Sequence, residues 1–223
     1  MSASPPPSSI SDWTDRPRSV SLIDAQYLEA ARDKVLGSVP LDLLEFAERI
    51  VPRYHWRFRT YYFDAPPFKD RNSPTSEQTQ RFEAKRAELK ATARLDRFSV
   101  REGYCQFTRK LATPLSHTGP RENVGIVEQK MVDVLLATEM TRIAWSKEAQ
   151  HISLVAGDSD YVAAVQAAKN AGALVRLYYF REGKTSYGDR LYDEVDERFN
   201  LRDILQAMRD KKPDHRRPNG LPG

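Results

Sequence analysis

Apolar runs and amphipathic stripes alternate along the chain. Ser19–Ile23 (Ser-Val-Ser-Leu-Ile) predicts a short buried strand closed by Asp24, and Ala25–Val35 follows with helical character. Leu41–Val51 places apolar residues at helical spacing. Phe58–Phe63 is aromatic and β-prone, and Asp64-Ala65-Pro66-Pro67 stops it. Ser76–Arg94 is charged throughout and predicts an exposed helix, and Phe98–Leu111 has strand character around Gly103-Tyr104. In Met131–Trp145, Val132, Leu136, Met140 and Ile143 form one helical stripe. Ile152–Ala156 predicts a buried strand that turns at Gly157 into Asp158-Ser159-Asp160 and a helix over Tyr161–Ala171. Ala173–Phe180 predicts another strand, and Gly188–Asn200 and Leu201–Met208 predict terminal helices. This alternation implies an α/β fold with a mostly parallel sheet covered on both faces.

Length and composition narrow the picture. With 223 residues the chain suits one domain with appendages: a disordered Ser/Pro-rich leader over 1–17, a folded domain over 18–208 and a basic disordered tail over 209–223. A formal net charge of +4 permits a polyanionic partner without demanding one. Cys105 stands alone, which excludes an intrachain disulfide and a zinc site built on several Cys, and favours a reducing cytoplasm. No apolar run reaches the roughly 18 residues of a membrane span. The N-terminus lacks the basic and apolar regions of a signal peptide.

The acids carry the candidate chemistry. In open α/β sheets ligands bind in the crevice at the carboxyl ends of the strands. Asp158 and Asp160 stand at such a strand-to-helix handover, where two like charges are tolerated mainly with a cation or a shared proton. Asp24 ends the first strand in the same way, although a helix N-cap accounts for it equally well. Asp133 and Glu139 project at the two edges of the apolar stripe, roughly 60° from its middle. Each is either a rim salt bridge or part of a polar cleft. Asp64 reads as a solvated turn residue. Clustered carboxylates at Asp24, Asp133, Asp158 and Asp160, with one Cys and few His, describe a hard-cation site for Mg²⁺ or Mn²⁺. The bases of Ser76–Arg94 are mixed with acids and read as a solvated face. Arg101, Arg109 and Lys110 among Tyr104 and Phe107 suit a nucleic-acid surface, but a half-exposed strand looks the same. Thr113–Asn123 predicts a loop able to flank a cleft. Gly183-Lys184-Thr185 ends like a P-loop, but Tyr178 stands where its first Gly belongs. The four His pair with no nucleophile, so an acyl-transfer triad is poorly supported.

Several segments together resemble a family. They are Ser21-Leu22-Ile23-Asp24-Ala25-Gln26-Tyr27-Leu28, Thr60-Tyr61-Tyr62-Phe63-Asp64-Ala65-Pro66-Pro67, Glu128 to Met140 with its Lys130-Met131-Val132-Asp133-Val134 core, Leu154-Val155-Ala156-Gly157-Asp158-Ser159-Asp160-Tyr161, and Val195-Asp196-Glu197-Arg198-Phe199. In order and spacing, from about Val20 to Leu205, they resemble a NYN domain of the LabA-like type, a branch of the PIN-like nuclease superfamily. The resemblance implies a three-layer α/β/α sandwich and metal-dependent cleavage of RNA, single-stranded or structured, by a cytoplasmic protein. Asp24, Asp133, Asp158 and Asp160 would hold Mg²⁺ or Mn²⁺, with Glu139 as a further ligand. Lys130, Ser159, Arg101 and Arg109 would contact substrate. Asp196 matches with a structural role. The resemblance implies no membrane and leaves room for a homo-oligomer. Two positions depart from the family pattern: Tyr27 replaces a frequent Asn, and Glu139 a common Asp. They motivate an alternative, a catalytically weakened module that binds RNA or a protein partner. A phosphohydrolase with an Asp nucleophile is disfavoured, because the first strand ends Asp24-Ala25-Gln26 rather than in a D-x-D arrangement.

Overall fold

The computed structural model describes residues 16–37, 39–111, 123–181 and 189–211. Nearly all of the leader, most of the 113–123 loop, Gly183-Lys184-Thr185 and most of the basic tail lie outside them. The elements are β1 (Arg18–Asp24), α1 (Ala25–Leu36), α2 (Leu43–Arg49), β2 (Trp56–Asp64), α3 (Ser76–Thr92), β3 (Phe98–Glu102), β4 (Tyr104–Leu111) and β5 (Asn123–Lys130). There follow α4 (Val132–Trp145), β6 (His151–Val155), a 3-10 turn (Ser159–Tyr161), α5 (Val162–Asn170), β7 (Leu174–Tyr179), α6 (Asp189–Glu194), β8 (Glu197–Asn200) and α7 (Leu201–Arg209).

Six strands form one sheet in the order β3-β2-β1-β6-β7-β8, and every pairing in it is parallel. Parallel strands are buried on both faces, and the β1, β2, β6 and β7 sequences are accordingly dense in apolar residues. Val20, Leu22, Tyr61, Phe63, Leu154 and Leu177 pack with the apolar stripe of α4 and with α5 and α6 on one face. Ile23, Tyr62, Val155 and Tyr178 pack with α1, α2, α7 and Leu89 of α3 on the other. The expected α/β/α sandwich is therefore present. All four stripe residues, Val132, Leu136, Met140 and Ile143, are buried.

Three segments differ from expectation. The strand region 98–111 splits at Gly103 into β3, the sheet edge, and β4, which pairs antiparallel with β5 in a separate hairpin. Gly103 permits the split: a Cβ there would lie 2.5 Å from the Lys130 carbonyl oxygen. Its N–H donates to the Asp64 carbonyl at 2.8 Å. The helix expected over 188–200 ends at Glu194, and β8 follows. Asp196 redirects the chain there: its carboxylate accepts the Val175 N–H at 2.7 Å, and its own N–H donates to the Val175 carbonyl at 3.0 Å. The structural role expected of Asp196 is thus realised. Finally, α3 is not a wholly solvated helix. A capping box between Thr75 and Gln78 starts it, and Lys85 reaches from it to Asp64 of β2. No helix among the described residues is long and apolar enough to cross a membrane.

Candidate functional site

Strand order reverses between β1 and β6, since α1 follows β1 toward β2 while β6 pairs on its other side. Such a switch point opens a crevice at the carboxyl ends of the two strands. The register Ile23↔Val155 sets Asp24 at one lip and Gly157-Asp158 at the other. The crevice is an open cleft lined by Asp24, Gln26, Tyr27, Gly157, Asp158 and Ser159.

Asp24 caps α1, its Oδ1 accepting the Tyr27 N–H at 3.2 Å. The cap and the cleft role therefore fall on one residue. Burial pushes its pKa up to about 6, the nearby charges of Asp133 and Asp64 push in the same direction, and the N–H groups of Tyr27 and Gln26 only partly oppose them. No cation among the described residues pairs with it. Asp133 projects from the first turn of α4, behind Met131 at φ 74°, a left-handed residue that turns the chain from β5 into the helix. The Tyr161 hydroxyl donates to Asp133 Oδ1 at 2.6 Å. Tyr161 is fully buried. Its proton is held far more tightly than usual, first by burial and then by Asp24, Asp133 and Asp158. One phenol thus stands among three carboxylates that arrive from β1, α4 and the β6–α5 turn. Asp158 is exposed and caps the 3-10 turn, its Oδ1 accepting the Asp160 N–H at 2.9 Å.

Tyr27 explains the glycine of this turn. A Cβ on Gly157 would meet the Tyr27 ring at 2.2 Å. The Tyr27 hydroxyl accepts the Phe180 N–H at 2.7 Å, which ties the end of β7 to α1 across the cleft. The bulk at position 27 and the absent side chain at position 157 are therefore one packing solution.

The other expected site residues are distributed. Asp160 is exposed, and its N–H donates to Asp158. Glu139 lies six residues beyond Asp133, roughly 9 Å along the helix. Two arginines hold it, Arg142 at 2.5 Å and Arg101 at 3.4 Å. The rim salt bridge, not a place beside the other acids, is what the structure shows for it. Arg101 also lies 4.9 Å above the Tyr61 ring and donates to Ser99 Oγ at 2.8 Å. Its guanidinium is committed within the fold. Arg109 sits in β4 opposite Gly125, and its side chain lies outside the described residues. Lys130 ends β5, half-buried, and pairs with Glu128 at 2.8 Å. Ser159 lines the cleft.

Among the described residues no three His, Cys, Asp or Glu side chains stand close enough to hold one ion between them. The kind of donor nevertheless fits a hard divalent cation. Asp24, Asp133 and Asp158 offer carboxylate oxygens, and the one most penalised for being charged has no positive partner.

The pattern that defines the NYN domain matches residues 19–202. The chain belongs to the NYN domain family. This is a PIN-like, nuclease-type domain whose nucleases typically use divalent metals, and the match spans the β1 and GDSD segments that form the cleft. No curated protein matches the chain. A crystal structure of a protein of unknown function from Vibrio parahaemolyticus resembles it at 14% identity and a TM-score of 0.47, covering 83% of this chain and 93% of the other.

Within this NYN domain, sequence reasoning missed two participants. Tyr161 enters the sequence reading only as the first residue of a helix, although its place directly after Asp160 is an available signal. Asp64, expected to be solvated, is 2% exposed and paired with Lys85 at 2.8 Å. A charge from α3 cannot be foreseen at the end of β2 without the fold.

Proposed function

We propose that this NYN domain is a Mg²⁺- or Mn²⁺-dependent ribonuclease, with Asp24, Asp133 and Asp158 as the carboxylate donors that a bound ion would draw together and Asp160 completing the acidic rim. The observation that carries the reading is the three-carboxylate surround of Tyr161, with a buried Asp24 that lacks a cation. A divalent ion bound there would offset the mutual repulsion, activate a water and stabilise the leaving oxygen of a phosphodiester. The chain's own groups do the rest. Tyr161 fixes Asp133 in one orientation, the Tyr27 and Gln26 amides fix Asp24, and the Asp160 amide fixes Asp158. Ser159, which lines the cleft, and Lys130 would contact phosphate oxygens of the substrate.

The test is cleavage of RNA with Mn²⁺ by the wild type and by Asp158→Asn. The variant should lose on the order of 10²–10³-fold in rate, as when one preorganised electrostatic group is removed from a site. Equal cleavage by both proteins would remove Asp158 from the mechanism. A second reading, an RNA- or protein-binding module that does not cut, is favoured by the engagement of Glu139 with Arg101 and Arg142. RNA binding without turnover under either ion would select it.

A further inference from the structure

The opposite end of the sheet carries a different kind of surface. Arg18 opens β1 and is in register with Trp56, which opens β2. Trp56 and Phe58 meet edge to face at 5.5 Å. The guanidinium of Arg18 lies 5.3 Å from the Phe58 ring centre, that of Arg59 5.8 Å from the same ring, and that of Arg97 5.2 Å from Trp56. Arg18, Arg59 and Arg97 are exposed.

Three of the other stacked arginines have a carboxylate, whereas, among the described residues, Arg53 over Tyr54 and Arg198 over Tyr192 each stand singly on one ring without one. Arg57, over Phe98, pairs with Glu48; Arg101, over Tyr61, with Glu139; Arg176, over Phe199, with Glu197. Among the described residues none of Arg18, Arg59 and Arg97 has an acid in salt-bridge range. Arg97 donates to the Arg57 carbonyl at 3.1 Å, but three guanidiniums gathered against two rings with no carboxylate among them is an arrangement with an electrostatic cost. Stacking also orders the long side chains in advance, so less entropy is lost when a ligand engages them.

We propose that this arginine–aromatic cluster is a second contact for single-stranded RNA, remote from the acid cleft. The inference rests on RNA being the substrate of the cleft. Arg18 lies six strand steps from Asp24, and Arg59, in register with Val20, four, which puts about 13–20 Å between the two surfaces. A strand cut at the cleft must therefore be long before it reaches the cluster. Arginine offers forked donors to backbone phosphates and a plane on which bases stack, a pairing that tolerates any base sequence. The cluster then supplies affinity and length preference, while the cleft supplies chemistry.

The experiment is anisotropy of labelled oligouridines of about 5 and about 20 nucleotides, titrated with the full chain in EDTA so that binding is read without cleavage. For Arg18→Gln/Arg59→Gln, the affinity advantage of the long over the short strand should fall roughly tenfold at low salt. The slope of log affinity against log salt should drop by about 1.4, or about 0.7 for each lost phosphate contact. Arg18→Lys/Arg59→Lys, which keeps the charge and loses the planar stack, should fall between the two, and melting curves would separate misfolding from lost contacts. An unchanged long-strand advantage in the Gln variant overturns the proposal, even if Asp158→Asn abolishes cleavage and the nuclease reading stands. A lost advantage in a protein that never cleaves RNA supports it while the nuclease reading fails. An equal loss on a duplex of the same length overturns the single-strand assignment.

Discussion

Asp24 and Asp64 end neighbouring parallel strands, and burial pushes both carboxyls above their ordinary range. Their surroundings differ in one respect. Asp64 meets the Lys85 ammonium at 2.8 Å and accepts the Ala65 N–H at 2.7 Å. Lys85 in turn contacts Glu29 at 2.8 Å and Glu88 at 3.1 Å, and Asp64 and Glu29 raise its pKa despite its burial. Asp24 has only backbone amides on its side, against the charges of Asp133 and Asp64. One carboxylate carries its cation within the chain; the other is built to be charged without one. The first arrangement belongs to folding. The second costs stability, and in a NYN domain such a cost is coherent if a cation arrives from outside.

The largest effect should come from breaking the internal pair. Lys85→Met leaves Asp64 buried and unpaired, and removal of one partner of a buried ion pair costs about 3–5 kcal/mol. Urea unfolding reads this directly, and Asp64→Asn/Lys85→Met should regain most of the loss, because the orphaned charge is gone. A single variant within about 1 kcal/mol of wild type would mean that Asp64 is solvated in practice and that the contrast with Asp24 is not real.

The same measurement on Asp24 should have the opposite sign. Its folded-state pKa of about 6 lies above the ordinary 3.8. Below the lower value both folded and unfolded chains are protonated, so it contributes nothing. Between the two values the folded protein binds the extra proton, and stability falls as pH rises through that window. Above about 6 the penalty is complete, up to about 3 kcal/mol from the cited shift. Asp24→Asn should therefore be more stable than wild type at about pH 8, should lose this part of the pH dependence, and should lose RNA cleavage. Mn²⁺ should stabilise the wild type more than the variant, through binding to the folded state. A variant less stable than wild type at that pH would show that the Asp24 cap on α1 outweighs its repulsions.

These contrasts also mark what the chain discloses before it is folded. Asp24 and Asp158 were legible because each follows an apolar run and precedes a helix, and parallel topology sends both run ends to the same edge. The α4 stripe was legible because burial repeats with the helix period. Lys85 was not: α3 has many charges of both signs, and only the crossing of α3 over the end of β2 selects one of them. Glu139 stayed open between a rim salt bridge and a polar cleft for a related reason. Helix periodicity sets its direction but not what faces it, and Arg101 lies 38 residues away in sequence. The β8 strand was hidden because it is four residues long and its first two, Glu197 and Arg198, are exposed, which leaves no apolar run to read. The Tyr161 ring is core, and its hydroxyl alone belongs to the site.

That hydroxyl gives the smallest and most discriminating change. Tyr161→Phe keeps the buried ring and removes the 2.6 Å bond to Asp133. Asp133 is exposed, so water can replace the lost donor, and the stability cost should be about 1 kcal/mol, that of an ordinary hydrogen bond. The effect on cleavage separates two roles for the phenol. If Tyr161 serves only to seat α5, the rate at saturating Mn²⁺ should be unchanged. If it orients Asp133 for the ion, the variant should need more Mn²⁺ for half-maximal activity, by the roughly 10–100-fold seen when an outer-shell partner of a metal ligand is removed. We expect the second outcome, because the phenol touches one of three acids and lies within the field of the other two. An unchanged Mn²⁺ requirement together with the 1 kcal/mol loss would assign Tyr161 to the core alone and leave Asp24 as the acid through which burial shapes the site.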